Sequence, residues 1–496
     1  MKEPSAFVSV NLDVNAGAEP MPAKPTSDTP FRILLLGDFS GRVNRRAPNS
    51  TGWKPVQIDR DNFEQVLAGV GAELRLGGGQ RGPGMALRFR ELEDFHPDRI
   101  YAQTEAFRTL REIRRELGDP STFRGAAELL KGWSGIPSTE PHTVPPRQQV
   151  KPGPPPDLLA LSGGSLLDSV VEGMEAQSAP AARPRDELQA FIEQSVAPHL
   201  APLPDPQLPE LIAQVDAAAG NMMRAVLHHK DFQMLEAAWR AVFFLVRRLE
   251  TDTQLKLYLL DVSKAELDED LRQSGHPRGS ELYRLLAGAG PWAVVAGDFS
   301  FGRNEEDIRT LAGIGRLMSV FGAPFLAEAN LAEHSDTAEI TQRWKSLRHS
   351  PEACWLGLAL PRFLLRLPYG KETDPVESFS FEEMPGTPEH QDYLWGNPAF
   401  ACVELLGEGF SNYGWNLRPG ANLEISGLPL HVYESGGEKH LKPCAELLMT
   451  ESEAEWVLEQ GFMPLVSLKD RDAARLLRFQ SIAEPPAPLS GRWSQA

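Results

Sequence analysis

Residues 136–156 read IPSTEPHTVPPRQQVKPGPPP. Proline fixes φ and lacks an amide donor, and the polar and glycine residues around it offer nothing to bury. Such a stretch favours extended, polyproline-like backbone and cannot belong to a core. The chain must therefore organise as blocks on either side of a linker. Its 496 residues leave room for about three domains at roughly 150 residues each. We read a first block over 1–135, the linker over 136–164, an amphipathic helical connector over 165–205, a second block over 206–482 and a flexible tail over 483–496.

Charge excludes some functions. Lys and Arg number 50 against 68 Asp and Glu, a formal net charge of −18. A long-range field of that sign repels phosphate backbones and anionic lipid, so neither nucleic acid nor a membrane surface is expected as partner. Ten tryptophans, several beside a cation as in Trp239-Arg240 and Trp344-Lys345, read as core or subunit-contact anchors rather than as stacking platforms. Cys354, Cys402 and Cys444 are far apart and unpaired in spacing, which fits free buried thiols in a reducing compartment. No apolar run approaches the ~18 residues needed to span a bilayer. The N-terminus shows no basic stretch leading into an apolar one, so no secretion signal is read and the expected location is the cytoplasm.

The hydrophobic pattern alternates between periods. In the first block, FVSVNL (7–12) and FRILLL (31–36) are strand-like, 59–68 opens a helix with Asp61 as a possible cap, 85–89 is a strand, and 97–117 reads as one helix. In the second, Asp231 is the expected cap of a helix whose inner stripe is Phe232, Leu235, Trp239, Val242, Phe243 and Val246. Strand-like runs at 255–262, 292–296, 324–327 and 354–360 then alternate with helical runs at 264–271, 281–287, 305–320 and 337–347. Beyond Phe363 the pattern is irregular, with 441–448 and 454–460 its best-defined pieces. Alternation of this kind predicts an α/β fold with a largely parallel sheet flanked by helices.

Reactive chemistry is hard to find. GxxxxGK[ST], HExxH and GxSxG are all absent. The glycines of 77–84 lie between strands and do not open a helix, as a phosphate cradle requires. His228 and His229 are adjacent, so on a helix they diverge by about 100° and cannot grip one ion together. Asp38 and Asp298 each follow a strand and a glycine, in LLLGDFSG and VVAGDFSF. An aspartate there can serve a catalytic edge or can cap the following turn, and capping is the reading we favour. No catalytic residue, metal ligand or cofactor is assigned.

Two sets of motifs change the picture. PFRILLLGDFSGR (30–42), PVQIDRDNFEQVLAGV (55–70) and the run from 87 to 117 containing DFHPDR resemble the small subunit of the type VI secretion contractile sheath. HHKDFQMLEAAWRAVFFLV (228–246), VVAGDFSFG (294–302), WKSLRHSPEACWLGLALPRFLLRLPYG (344–370), FEE (381–383), YLWGNPAFACVELL (393–406), GWNLRP (414–419) and the run 435–466 resemble, in order, the large sheath subunit over roughly 165–482. The pieces PRFLLRLPYG and YLWGNPAFA are the most specific.

The resemblance implies a fused small-plus-large protomer that packs helically, by itself or with other sheath subunits, around an inner tube and drives its ejection on contraction. It also implies a baseplate as partner. The segment SLLDSVVEGME (165–175) puts Leu166, Leu167, Val170 and Val171 on one side of a short helix, as a packing helix or as the segment seized by an AAA+ unfoldase. With Trp395 and Trp415 these residues are the candidate partner contacts. The large-subunit family continues past the equivalent of Phe479-Gln480, so a C-terminal region looks absent here. That leaves a second possibility, a sheath-like accessory that docks on sheath or baseplate without polymerising.

Overall fold

The computed structural model describes residues 24–46, 52–77, 85–119, 121–134, 208–273, 277–288, 290–334 and 337–493. The first block supplies β1 (Phe31–Gly37), β2 (Val56–Ile58) and the hairpin of β3 (Ala72–Leu76) with β4 (Met85–Phe89). The second supplies β5 (Leu255–Asp261), β6 (Val294–Arg303), β7 (Phe325–His334) and β8 (Leu356–Leu360). After them come the short pair β9 (Phe363–Leu364) and β10 (Trp395–Gly396), and then β11 (Glu424–Ser426). A ribbon of β12 (His431–Ser435) and β13 (Glu438–Lys442) follows, then β14 (Met463–Ser467) and β15 (Ala473–Leu476).

Nine of these strands form one sheet in the order β11-β15-β14-β8-β7-β6-β1-β5-β2. The run from β14 to β5 is parallel throughout, and the antiparallel pairs lie at the flanks. The expected α/β fold with a largely parallel sheet is observed. What the linker conceals is where β1 goes. It lies between β5 and β6, pairing along its whole length with 255–261 and over 33–36 with 294–297. β2 then pairs the opposite edge of β5. A boundary in sequence is thus no boundary in space, because β5 is held on both sides by first-block strands.

The composition of β1 explains its place. A parallel strand covered on both faces reads as a continuous apolar run rather than an alternation. Phe31, Ile33 and Leu35 point into one core, Leu34 and Leu36 into the other, and all are essentially inaccessible. α1 (Arg42–Arg45) follows the turn after β1 and lies beside β3, while the first-face core takes α2 (Phe63–Val70), α3 (Pro97–Gln103), α4 (Arg108–Gly118) and α5 (Phe123–Ser134). α6 (Leu208–Leu227) and α7 (Lys230–Arg248) join them there. The second face takes α8 (Lys264–Gln273), α9 (Glu281–Gly288), α10 (Glu305–Phe321) and α11 (Ala338–Arg348). α12 (Pro398–Tyr413) lies under the first face, and α13 (Glu451–Glu459) leads into β14 against the second.

Several local readings change. The helix expected over 97–117 breaks at Thr104, where the Arg111 guanidinium donates to the carbonyls of Tyr101 and Thr104 and satisfies the broken turn. The cap of α7 is His229, whose Nδ1 accepts from the Asp231 amide at 3.2 Å, not Asp231 itself. The segment expected as a flexible tail is packed as far as 493. Leu489 and Trp493 are buried, the Ser490 amide donates to Cys354 at 2.8 Å, and Arg492 donates to the carbonyls of Trp292 and Phe321. Phe321 ends α10, so Arg492 supplies the donor that a helix C-terminus lacks.

Candidate functional site: the joint between the blocks

The GDFSGR turn after β1 is the centre of the joint. Asp38 caps it, accepting from the amides of Arg42 at 3.0 Å and Val43 at 2.9 Å. Phe39 is fully buried against Trp239 of α7, ring centroids 5.7 Å apart, and its carbonyl takes the Trp239 indole N–H at 2.8 Å. Gly41 stands at φ +68°, and a Cβ there would meet the Glu73 carbonyl at 2.7 Å. Only glycine suits that approach of the turn to β3. Arg42 then reaches into the second block. Its guanidinium binds the Asp261 carboxylate and carbonyl and both oxygens of Glu266. Burial alone would pull Arg42 down, but Glu266 and Asp261 hold it above its ordinary value.

A second contact is made by the DFHPDR segment. Phe95 stacks on Phe89 at 4.0 Å and meets Phe232 of α7 edge-on. The Asp98 carboxylate accepts from the amides of Glu377 and Ser378 at 3.0 and 2.8 Å. Against burial, which favours the neutral acid, those bonds hold Asp98 below the usual range. Arg114 of α4 bonds Asp216 of α6 at 2.6 Å, and Asp216 also takes the Ser380 amide. α6 is thus joined to α4 of the first block; Leu166, Leu167, Val170 and Val171, the expected partner contacts, lie outside the described residues.

Deeper in the second block, distant motifs converge. Arg366 of PRFLLRLPYG makes a two-sided fork, bonding Glu236 of α7 at 2.8 and 3.3 Å and Glu383 of the FEE motif at 2.7 and 3.0 Å. Arg240 binds Glu236 and the Tyr369 hydroxyl, and the Tyr369 amide donates to Glu383 at 2.7 Å. His228 sits between Glu383 and Asp392. Burial would raise Glu383, but Arg366 and His228 bring it down to about 2. Glu236 and Glu383 are thus each hydrogen-bonded to a guanidinium, the condition under which buried charge is tolerated. The cluster fixes the 366–383 excursion onto α7, and α7 in turn carries Trp239 of the joint.

The comparisons match this geometry block by block. Residues 2–125 fit the family described as type VI secretion system, VipA, VC_A0107 or Hcp2. Residues 209–483 fit the EvpB/VC_A0108 tail sheath N-terminal domain family. The chain belongs to the type VI secretion sheath family. It joins the small and large sheath subunits in one polypeptide. The type VI secretion system sheath protein TssC1 of Pseudomonas aeruginosa is 33% identical over 305 residues, covering 55% of this chain and 61% of that relative. The chain thus spans under two-thirds of that sheath protein's length.

The remaining candidates of this sheath chain are placed as follows. Trp395 is 6% exposed, donates its indole N–H to the His390 carbonyl at 3.0 Å and stacks on the His390 ring. Trp415 packs on Phe31 and Phe410 and donates to the Thr29 carbonyl at 2.7 Å, tying the second block to the start of β1. Trp395 is thus buried and Trp415 half-buried, and these contacts are made within the chain. Asp298 does not end its strand; β6 runs through it, beside Asn397, and burial pushes its carboxyl up to about 7. No group of three or more His, Cys, Asp or Glu that could hold a metal occurs among the described residues, and no described helix is long and apolar enough to cross a membrane. Sequence reasoning missed Arg42, Arg114, Arg366 and their acids as a set. The only trace of the three arginines was membership in the motifs that carried the resemblance.

Proposed function

We propose that the chain is a fused protomer of a contractile sheath, that it packs helically around an inner tube, and that contraction of the lattice drives the tube outward. The observation that carries this is the interlock of β1 and β2 around β5. A protomer built as one sheet behaves as a rigid body, so a change between extended and contracted lattices falls on contacts between protomers. Head-to-tail contacts that do not close generate helical assemblies of this kind. The work is mechanical, in the cytoplasm, with no catalysis and no cofactor. Its partners are further copies or separate sheath subunits, the tube protein and a baseplate, and an AAA+ unfoldase acts on 165–175.

Electron microscopy of the purified full chain, alone and mixed with tube protein and separate sheath subunits, tests this. Helical tubes or stoichiometric co-assembly are expected. Strictly monomeric particles in every mixture would refute it, and substoichiometric decoration of preassembled sheath would replace it with the accessory role.

A further inference from the structure

The β12–β13 ribbon is, among the described residues, a two-stranded element of the second block that does not join the large sheet, and a lone ribbon is marginal in water without packing. Its chain is anchored just before and just after. The Leu428 amide donates to Asp472, the Cys444 carbonyl accepts from Leu364, and the Glu446 amide donates to Arg362. Between those anchors the contact with the body runs through one side of the ribbon. His431 and Lys442 are directly opposite each other, as are Tyr433 and His440. The Lys442 ammonium lies over the Tyr393 and Trp395 rings, 5.1 and 5.3 Å from their centroids. The Tyr393 hydroxyl is 2.7 Å from His431 Nδ1.

The deciding contact is Lys442 Nζ to His390 Nδ1, 3.2 Å. An ammonium has three donors and no acceptor, so His390 Nδ1 must be the bare, accepting nitrogen. The proton of a neutral ring is then on Nε2, which faces Glu446 at 3.0 Å. Glu446 is held by the Arg362 fork at 2.9 and 2.6 Å, with Glu328 at 4.0 Å from the same guanidinium. Burial would raise Glu446, but His390 and Arg362 hold it at about 2, so it stays an acceptor across the range where imidazoles titrate. Burial also keeps Lys442 below its ordinary value, so its charge is already poorly solvated.

We infer that neutral His390 is the catch of a proton-operated clasp: a second proton on its Nδ1 removes the acceptor of Lys442, sets two cations face to face, and lets the ribbon leave its aromatic seat. His431, opposite Lys442, adds charge of the same sign when protonated, while its Tyr393 partner can turn from donor to acceptor and so does not oppose the release. Glu389, beside His390 in sequence, bonds Gln391, and Asp392 faces His228. The Glu446 contact survives protonation. The clasp is independent of the sheath reading, because it is measured on the protomer itself.

Hydrogen exchange of the full chain, followed by mass spectrometry at pH 8.0 and pH 5.5 and corrected for the intrinsic pH dependence of exchange, tests the clasp. Peptides covering 431–442 are expected to exchange about tenfold faster at the lower pH, the scale of two half-exposed like charges in contact, while peptides of β1 and β5 keep their protection. H390Q, which keeps an acceptor but cannot titrate, and K442M, which removes the second cation, should each abolish that pH dependence. Unchanged ribbon exchange in the parent protein would overturn the inference, as would an equal acceleration in both variants.

Discussion

Arg42 and Arg366 are built alike and placed differently. Each is a guanidinium almost closed to solvent, 6% and 9% exposed, and each is held between two carboxylates. The acids around Arg366 are fully buried, whereas Asp261 and Glu266 around Arg42 keep 26% and 29% of their side-chain surface. Water can therefore take over from Arg42 but not from Arg366. One cluster is a fixture within a block. The other is a latch across two blocks that already share a sheet.

The largest effect should come from Arg366→Met. It leaves the fully buried Glu383 without its guanidinium and Glu236 to Arg240 alone, and we expect a loss of about 3–5 kcal/mol in urea unfolding. Arg42→Ala should cost less, about 1–3 kcal/mol, because its acids rehydrate. Equal losses in the two variants would erase the distinction drawn between them. A third group sits between the two cases. Glu404 of α12 is buried, 3.5 Å from Arg248 and close enough to Glu408 to feel its charge, and burial pushes it up to about 7. A carboxyl raised in the folded state contributes stability that is full below its unfolded value and is lost as pH rises through the folded one. Melting temperature should therefore fall between pH 5 and pH 8, by the equivalent of about 1–3 kcal/mol, and Glu404→Gln should remove that part of the slope. At the far end, Arg108 pairs with Glu105 and Glu112 on the open face of α4. Arg108→Ala is expected to leave the unfolding midpoint where it was, since exposed pairs of this kind contribute little.

The same contrast explains what could be read from the sequence. β1 was legible because burial on two faces leaves an unbroken apolar run, and the stripe of α7 because burial on one face leaves a 3.6 period. Capping by Asp38 followed from its place after a strand and a glycine. The position of β1 between β5 and β6 was hidden, since strand order is set by long-range pairing that no local period encodes. The Arg366 cluster gathers residues 228, 236, 240, 366, 369 and 383, and beyond the i,i+4 pair Glu236–Arg240 no spacing ties its two halves together. The packed end of the chain was misjudged from its prolines, which obscured Leu489 and Trp493 as core residues and Arg492 as the donor at the end of α10.

The central claim is that both blocks make one interlocked body, and cutting the linker tests it. A specific protease site placed within 136–164 leaves every described strand intact. After cleavage, the two fragments should co-elute on gel filtration as a single 1:1 unit under native conditions and part only in denaturant. Fragments that separate in native buffer while each stays folded would contradict the account.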